Sequence, residues 1–552
     1  MQMHAHRIAM SAAAVARGLP VRVCVAVAIA LTLHGAAHAD SIPVLKAVQW
    51  EGGLDAPARA ALDEAIHAEL GKSIDKVGAA ELANRMTTIL RGAGYPVAAV
   101  LLTGDDWNRF TDGRLPLHVF EGDVGAVRVA SNSSQVADSR LRLTAARALC
   151  GRSGPPCPLS ETKLERAALL LQDLPGVKLK PVTLSPKGVG VGQTAVEIAA
   201  AAAGPRASAS VSADNHGVTS SGRNRIGASV AAQNLMHMGD VWQFGAMTTN
   251  RRQHIGSFDV SMPVGYDGLR WHAAAARMAY SLPKVGASGL ANQGSVGLVY
   301  PLTRGLSRNW AVTADAFGVL AEQEVNGVSA SAPNHLAGLR FGLAGNAGDR
   351  PIDLGLSYWS AASALTVGRN TQHIDGVDPT DTLGSYAKLT LSGLDKFVLR
   401  DGWYVLGRAN AQLGSRNLAS YEAMPIGGVD GVRAYSADEG SLDDGLVVGG
   451  ELRRLIRLRT GDQIAPGVWL DAAAGQVLHS VYPGWQTNLG YSNPNLSNTR
   501  WLAGWGLGLD WVNPHGMTAS LTVGWKLPGS PESVVQRGSA RARVLFSLGM
   551  HI

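Results

Sequence analysis

"WLAGWGLGLDW", residues 501–511, sets Trp501, Ala503, Trp505, Leu507, Leu509 and Trp511 on one side of an extended chain. Leu502, Gly504, Gly506, Gly508 and Asp510 fall on the other. Successive side chains of a strand point to opposite faces, so this period of two reads as a β-strand with one apolar face and one small or charged face. "GMTASLTVGWKL", 516–527, opposes Met517, Ala519, Leu521, Val523 and Trp525 to Thr518, Ser520, Thr522, Gly524 and Lys526. The chain's end does the same, with Val544, Phe546, Leu548, Met550 and Ile552 against Arg543, Leu545, Ser547, Gly549 and His551. "ASASVSAD", 207–214, alternates alanine and valine with serine and aspartate.

Segments of about ten residues with an apolar face, aromatics near its ends and a polar opposite face are the pattern of an outer-membrane barrel. A soluble sandwich also alternates. Strands long enough to cross lipid, the persistence of the polar face from Gly204 to Ile552, and an export signal favour the barrel. In lipid an all-β chain satisfies its backbone only by closing on itself. At roughly 22 residues per strand and loop, 204–552 holds about 16 antiparallel strands, within the even-numbered bacterial range.

The export signal is at the other end. Residues 1–22 carry Arg7, Arg17 and Arg22 and no acid; Val21–Leu33 is apolar apart from Arg22 and Thr32, and Ala37-His38-Ala39 follows. A basic segment, a short apolar run and an A-x-A site read as a signal peptide over 1–39, with Asp40 the first mature residue. The run falls short of the about 20 apolar residues that a transmembrane helix needs. Cleavage removes three arginines and takes the formal charge from +6 to +3, so nothing in the balance points to nucleic acid. Cys24 leaves with the signal. Cys150 and Cys157, in "CGRSGPPC", remain. Two cysteines closing a loop of eight residues in an oxidising compartment read as a disulfide, contributing about 2.5 kcal/mol by chain entropy. A zinc site wants four ligands, and no Cys or His partners stand nearby.

Between signal and barrel the chain mixes helix and strand. "VLKAVQW" alternates, "APARAALDEAIHAEL" has helical spacing behind Asp55 and Pro57, and "AAELANRMTTILRGAGYPVAAVLL" is a helix that Gly92, Gly94 and Pro96 turn into a strand. "LPLHVFEGDVGAVRVA" gives strand, turn, strand. The order recurs through "SRLRLTAARALC", the cysteine loop, a helix opened by Ser160 and closed by Pro175-Gly176, and "GQTAVEIAAAA". Two βααββ-like modules are expected, at 40–126 and 127–203, ahead of the barrel at 204–552.

The alternations also say which charges face the lumen. In "PGVWLDAAAGQ" Val468, Leu470 and Ala472 take the apolar face, so Trp469, Asp471 and Ala473 point inward. Glu451 and Arg453 share the inward face, as do Tyr404, Arg408, Asn410 and Gln412. "GGVDGVRAY", 427–435, places Arg433 in a glycine-rich loop with Gly427, Gly428, Val432 and Tyr435 around it.

On these residues the chain resembles the TpsB transporters of two-partner secretion, of the ShlB/FhaC/HecB type, over essentially its whole mature length. The resemblance implies that the two modules are POTRA domains and that the loop around 427–445 folds into the lumen. There its V-R-G-Y/F arginine would meet the aspartate of an F-x-D-x-G motif on the barrel wall. Val432-Arg433-Ala434-Tyr435 and Trp469-Leu470-Asp471-Ala472-Ala473 match in part: Ala434 stands where the motif has glycine, and Trp469 and Ala473 replace the outer members of the second motif. Asp214-Asn215-x-Gly217 with Gly222-Arg223 is similar to the family's first barrel strand and turn, and "LRGAGYP" to the end of a first-POTRA helix. The chain ends in His551-Ile552 where an aromatic is usual, and "SIPVLKAVQW" leaves little room for a plug helix.

The resemblance implies a monomeric, non-enzymatic translocator without cofactor or metal. It would sit in the outer membrane of a Gram-negative bacterium with its POTRA domains in the periplasm. Those domains would bind an unfolded TpsA-like partner (adhesin, cytolysin or contact-dependent toxin), which leaves through the barrel. An insertase for other barrels is the alternative, though such proteins often carry more POTRA modules. A passive porin would need none. No P-loop, G-x-S-x-G elbow or zinc-ligand cluster is present to support an enzyme.

Overall fold

The structure is a computed structural model and describes residues 42–282, 287–325, 328–329, 333–347, 357–372, 378, 380–488, 495–529 and 542–552. The expected signal peptide, 1–39, lies outside the described residues. The chain divides into two compact units, up to Gly122 and from Asp123 onward.

The first unit is a three-stranded sheet in the order Ala47–Glu51, Arg114–Phe120, Ala99–Leu101, with the first pair parallel and the second antiparallel. Two helices cover it. Asp55 opens Ala56–Ile66 by accepting the Ala58 N–H at 2.8 Å, with proline in the first turn. Asp75 opens Lys76–Gly92 by accepting the Gly78 N–H at 2.7 Å. Side-chain acceptors at these positions satisfy backbone donors that the first helical turn leaves open. The apolar stripes of both helices meet the sheet in a core of Leu45, Leu62, Leu82, Met86, Leu90, Leu115 and Leu117. A short third helix, Gly104–Asn108, was not anticipated from the sequence; Thr103 and Asp106 form a reciprocal capping box there.

The second unit opens with a mixed sheet in which Asp123–Asn132 runs parallel to Gln193–Ala202. Because Asp123–Asn132 pairs only with strands of this sheet among the described residues, the first module ends at Gly122, ahead of the expected boundary after 126. Helices Asp138–Cys150 and Glu161–Gln172 pack against one another, and the Cys150–Cys157 disulfide ties the end of the first to the edge strand Cys157–Pro158.

Sixteen antiparallel strands, from Ala207–Asp214 to Ala542–His551, then close into a barrel, with short pairings at Val328–Ser329 and Ile456–Arg457 extending it. The first and last strands close it over five residue pairs, Ser547↔Asp214 to His551↔Ser210. Asn215 prolongs that seam with its side chain, donating to the Val544 carbonyl and accepting from the Phe546 N–H, both at 2.9 Å. The second module is pinned to the turns of the barrel within this unit: Arg304 meets Asp173 at 2.7 and 2.6 Å, and the Leu306 N–H donates to Glu165. Large apolar side chains such as Phe341, Leu470, Leu507 and Leu548 point outward around the barrel. Among the described residues no helix is long and apolar enough to cross a membrane.

Candidate functional site

The chain between strands Trp403–Gly414 and Asp444–Arg454 does not take the short way between neighbours. It folds against the inner wall, and its tip winds on itself. The Val432 N–H donates to the Ile426 carbonyl at 2.8 Å and the Gly428 N–H to that of Tyr435 at 3.1 Å, with Gly427 bridged to Val432. The left-handed residue this winding needs is Gly428, at φ 82°. Glycine adopts that conformation without steric cost. Ala434 has no positive φ, so the departure from the motif glycine leaves the turn intact. Val432 and Tyr435 bury themselves beside Ile426, Trp469 and Leu502.

Between those two apolar residues Arg433 is 8% exposed. Its Nε donates to Asp471 Oδ2 at 2.7 Å and its Nη2 to Asp471 Oδ1 at 2.9 Å, while its backbone N–H reaches Oδ2 at 3.1 Å. Nη1 donates to Glu451 Oε1 at 2.6 Å, and the guanidinium lies 4.3 Å from the centre of the Trp469 ring. Paired N–H groups fit a carboxylate edge on, and an indole face attracts a cation, so both directions of the planar group are used. Lys526 stands 4.9 Å over the ring of Tyr435.

Two further arginines complete the cluster. Arg408 Nη2 is 3.2 Å from Asp471 Oδ1, and its Nη1 and Nη2 donate to the loop carbonyls of Val429 and Gly431 at 3.1 and 2.7 Å. Arg453 Nε meets Glu451 Oε2 at 2.5 Å, and Arg453 also pairs with Asp510. Three guanidinium groups thus face the carboxylates of Asp471, Glu451 and Asp510. Pairing of this kind is what lets buried charge persist away from bulk water.

The strand register explains the convergence. Arg408 pairs with Gly449, and Gly449 with Asp471, so the three lie in one row across adjacent strands. A side chain at Gly449 would come within 2.6 Å of both Arg408 and Asp471. Its absence opens the path between them. Arg433, Asp471, Glu451, Arg453 and Arg408 therefore form one site, while Cys150 and Cys157 belong to the second module. Sequence reasoning placed each charge on the inner face but missed that Glu451 shares Arg433 and that Arg408 grips the loop backbone. The row of Arg408, Gly449 and Asp471 was the available signal, but it requires knowing the register of three strands.

A second charged group lies in the first unit. Glu51, Asp106 and His118 converge with ligand-type atoms within 4.8 Å of one another. Arg109 fills the gap, with Nη1 2.7 Å from Glu51 and Nη2 2.5 Å from Asp106, so the protein supplies its own cation there.

The model for the haemolysin secretion/activation proteins ShlB/FhaC/HecB matches residues 192–511, more than half of the chain. The chain belongs to this family. It is a TpsB-type outer-membrane transporter of secreted partner proteins and not an enzyme. A relative is the heme/hemopexin transporter protein HuxB of Haemophilus influenzae strain 86-028NP, 21% identical over 416 residues, which are 74% of this chain and 71% of HuxB. CdiB from Escherichia coli has a similar structure, with a TM-score of 0.71 at 18% identity, covering 94% of this chain and 93% of its own. CdiB from Acinetobacter baumannii follows at 0.66 and 16%, covering 93% and 91%. At these identities the structural likeness speaks for the fold, two α/β modules and a barrel.

Proposed function

We propose that the loop is a retained obstruction whose docking at Asp471 and Glu451 through Arg433 sets this TpsB transporter ready for its partner. The mixed modules stand in the periplasm in this reading and take the partner's unfolded chain by strand addition. Main-chain hydrogen bonds then supply affinity with little dependence on sequence. The edge of Asp123–Asn132 supports it: among the described residues that side pairs only at Asp123 and Val124, with Cys157–Pro158. No nucleotide is spent, and folding of the emerging partner biases its exit. The partner is a TpsA-like exported protein, and the transporter acts as a monomer.

The observation that carries this reading is the Arg433–Asp471 pair at 2.7 Å inside a sixteen-stranded barrel. Removing one member of a buried pair leaves the other uncompensated, at about 3–5 kcal/mol when dry and less beside lumenal water. Arg433→Ala is therefore expected to cut export at least about ten-fold, since roughly 1.4 kcal/mol suffices for that. The measurement is partner protein in the medium, normalised to heat-modifiable, membrane-inserted barrel. Asp471→Ala should act alike, and the double variant should lose less than the sum. Wild-type export from Arg433→Ala would make it an ordinary loop arginine; additive losses would separate it from Asp471.

A further inference from the structure

The tip is not the loop's only attachment. On the way from Gly414 to the tip, the limb 415–426 meets a different part of the wall. Leu418 is buried with Leu336 and Tyr386, flanked by Phe317, Val319 and Ala419. Four residues on, Glu422 is buried, and Lys388 Nζ stands 2.5 Å from its Oε2 and donates to its backbone carbonyl at 2.8 Å. Asn417, at the limb's base, accepts the Ser480 N–H at 2.7 Å and donates to the Thr380 carbonyl at 2.7 Å. Lys388 belongs to strand Gly384–Val398, which is separated from the Asp471 strand by Trp403–Gly414 and Asp444–Arg454. The two attachments therefore share no residue and sit on different strands.

We propose that Lys388 and Glu422 form a second latch, which holds the limb to the wall independently of the Arg433 tip. The inference rests on the reading of the loop as a docked element, and it says how that element moves. A buried ion pair is poor evidence of stability, because well-packed apolar residues serve as well or better; a better-attested use is to fix one arrangement among several. Here a limb whose other ion pair, Arg416 with Asp381, lies exposed is fixed at one height on the wall by a pair buried on both sides, next to the buried Leu418. When the tip lets go, the limb stays. The loop then pivots about Glu422 and returns to Asp471 without having to be recaptured from solution, because a tether keeps the effective concentration of the tip high. Lys388 and Glu422 are positioning residues in this account: they touch no transported chain and act through where they keep Arg433.

The test uses the purified exported protein, whose remaining cysteines, Cys150 and Cys157, are disulfide-bonded and do not react. One reporter is Ala434→Cys at the buried tip; the other is Ala419→Cys on the limb. Rates of maleimide labelling without reductant read the two attachments separately. Arg433→Ala should raise labelling of Ala434→Cys at least about ten-fold, as expected for loss of a partly wet buried pair, and leave Ala419→Cys within about two-fold. Lys388→Met, which keeps the stem and removes the charge, should do the reverse, and Lys388→Arg should keep Ala419→Cys protected. Glu422→Gln, nearly isosteric, repeats the measurement should Lys388→Met fail to assemble as judged by heat-modifiability. Both reporters rising together in either background would mean a single docking unit and overturn the second latch. So would slow labelling of Ala419→Cys in both Lys388→Met and Glu422→Gln. Slow labelling of Ala434→Cys in Arg433→Ala would instead refute the tip anchor, whatever the limb does.

Discussion

In the first module Leu62, Leu82, Leu115 and Leu117 are enclosed and nearly all charge lies outside; in the barrel Leu470, Leu507 and Leu548 face outward while Arg433, Glu451 and Asp471 are enclosed. The same physical rules produce both. Apolar surface leaves water in each case, for a core in one and for lipid in the other. What differs is where polar groups find partners. A small α/β module can leave its charges to water, whereas a lumenal loop must bring a partner for every charge it buries. Arg433 meets two carboxylates and an indole, and Glu422 meets Lys388. The module is held by area and the docked loop by geometry.

This contrast is most exposed to test in the module's core. Leu82 is fully buried, so Leu82→Ala should cost about 2–5 kcal/mol and melt the first module well below the barrel. Hydrogen exchange resolved by segment, with heat-modifiability of the barrel as control, checks it; loss of barrel assembly would show that the two do not fold separately. Next comes the wall. Leu521 and Ser520 are neighbours on opposite faces. Leu521→Lys should destabilise the inserted barrel by about 2–4 kcal/mol if it lies near the bilayer midplane, whereas Ser520→Lys should change it little. Equal effects in urea-dependent unfolding from vesicles would mean that the inside-out assignment is wrong there.

Smaller still is the staple of the second module. Reduction of Cys150–Cys157 should loosen the end of helix Asp138–Cys150 by about 2.5 kcal/mol and leave the barrel untouched. Thiol counting in denaturant, with and without reductant, and local hydrogen exchange measure it. The smallest effect is a pH dependence in the first module. Hydrogen bonding from Arg109 holds Glu51 below its ordinary value of 4.5. Burial would raise Asp106, but hydrogen bonds from Thr103 and Arg109 outweigh it and hold that carboxyl below 3.8. Folded values below unfolded ones mean that this stabilisation is present above about pH 4.5 and is lost as pH falls through the lower folded values. Thermal melting of the module from pH 6 to pH 3 should show that loss, and Arg109→Leu should flatten it. An unchanged slope would assign acid sensitivity to other groups.

Much of the modules' architecture is legible in short stretches of the chain. Helix starts can be read at Asp55 and Ser160 because capping is local chemistry: a side-chain oxygen reaches an N–H three residues ahead. Helix Gly104–Asn108 escapes such a reading even so, since a single turn has too little apolar periodicity to show above its surroundings. The sequence places the boundary after Gly122 four residues late, because strands Arg114–Phe120 and Asp123–Asn132 follow one another closely and nothing in either says which sheet will take it.

Which way each barrel residue faces follows from the amino-acid order alone, because a strand's period of two is a property of one segment, and that is enough to turn Asp471, Glu451, Arg453 and Arg408 toward the lumen. Their heights do not follow from it. Height is set by the pairing of each strand with its neighbours, and only the closed barrel put Arg408, Gly449 and Asp471 in one row and brought Glu451 to the other side of Arg433. The limb's latch was further out of reach: Lys388 and Glu422 lie 34 residues apart, on a strand and a loop with no shared periodicity. Contacts between a wall and a loop depend on where the whole chain closes, and no single stretch of residues contains that.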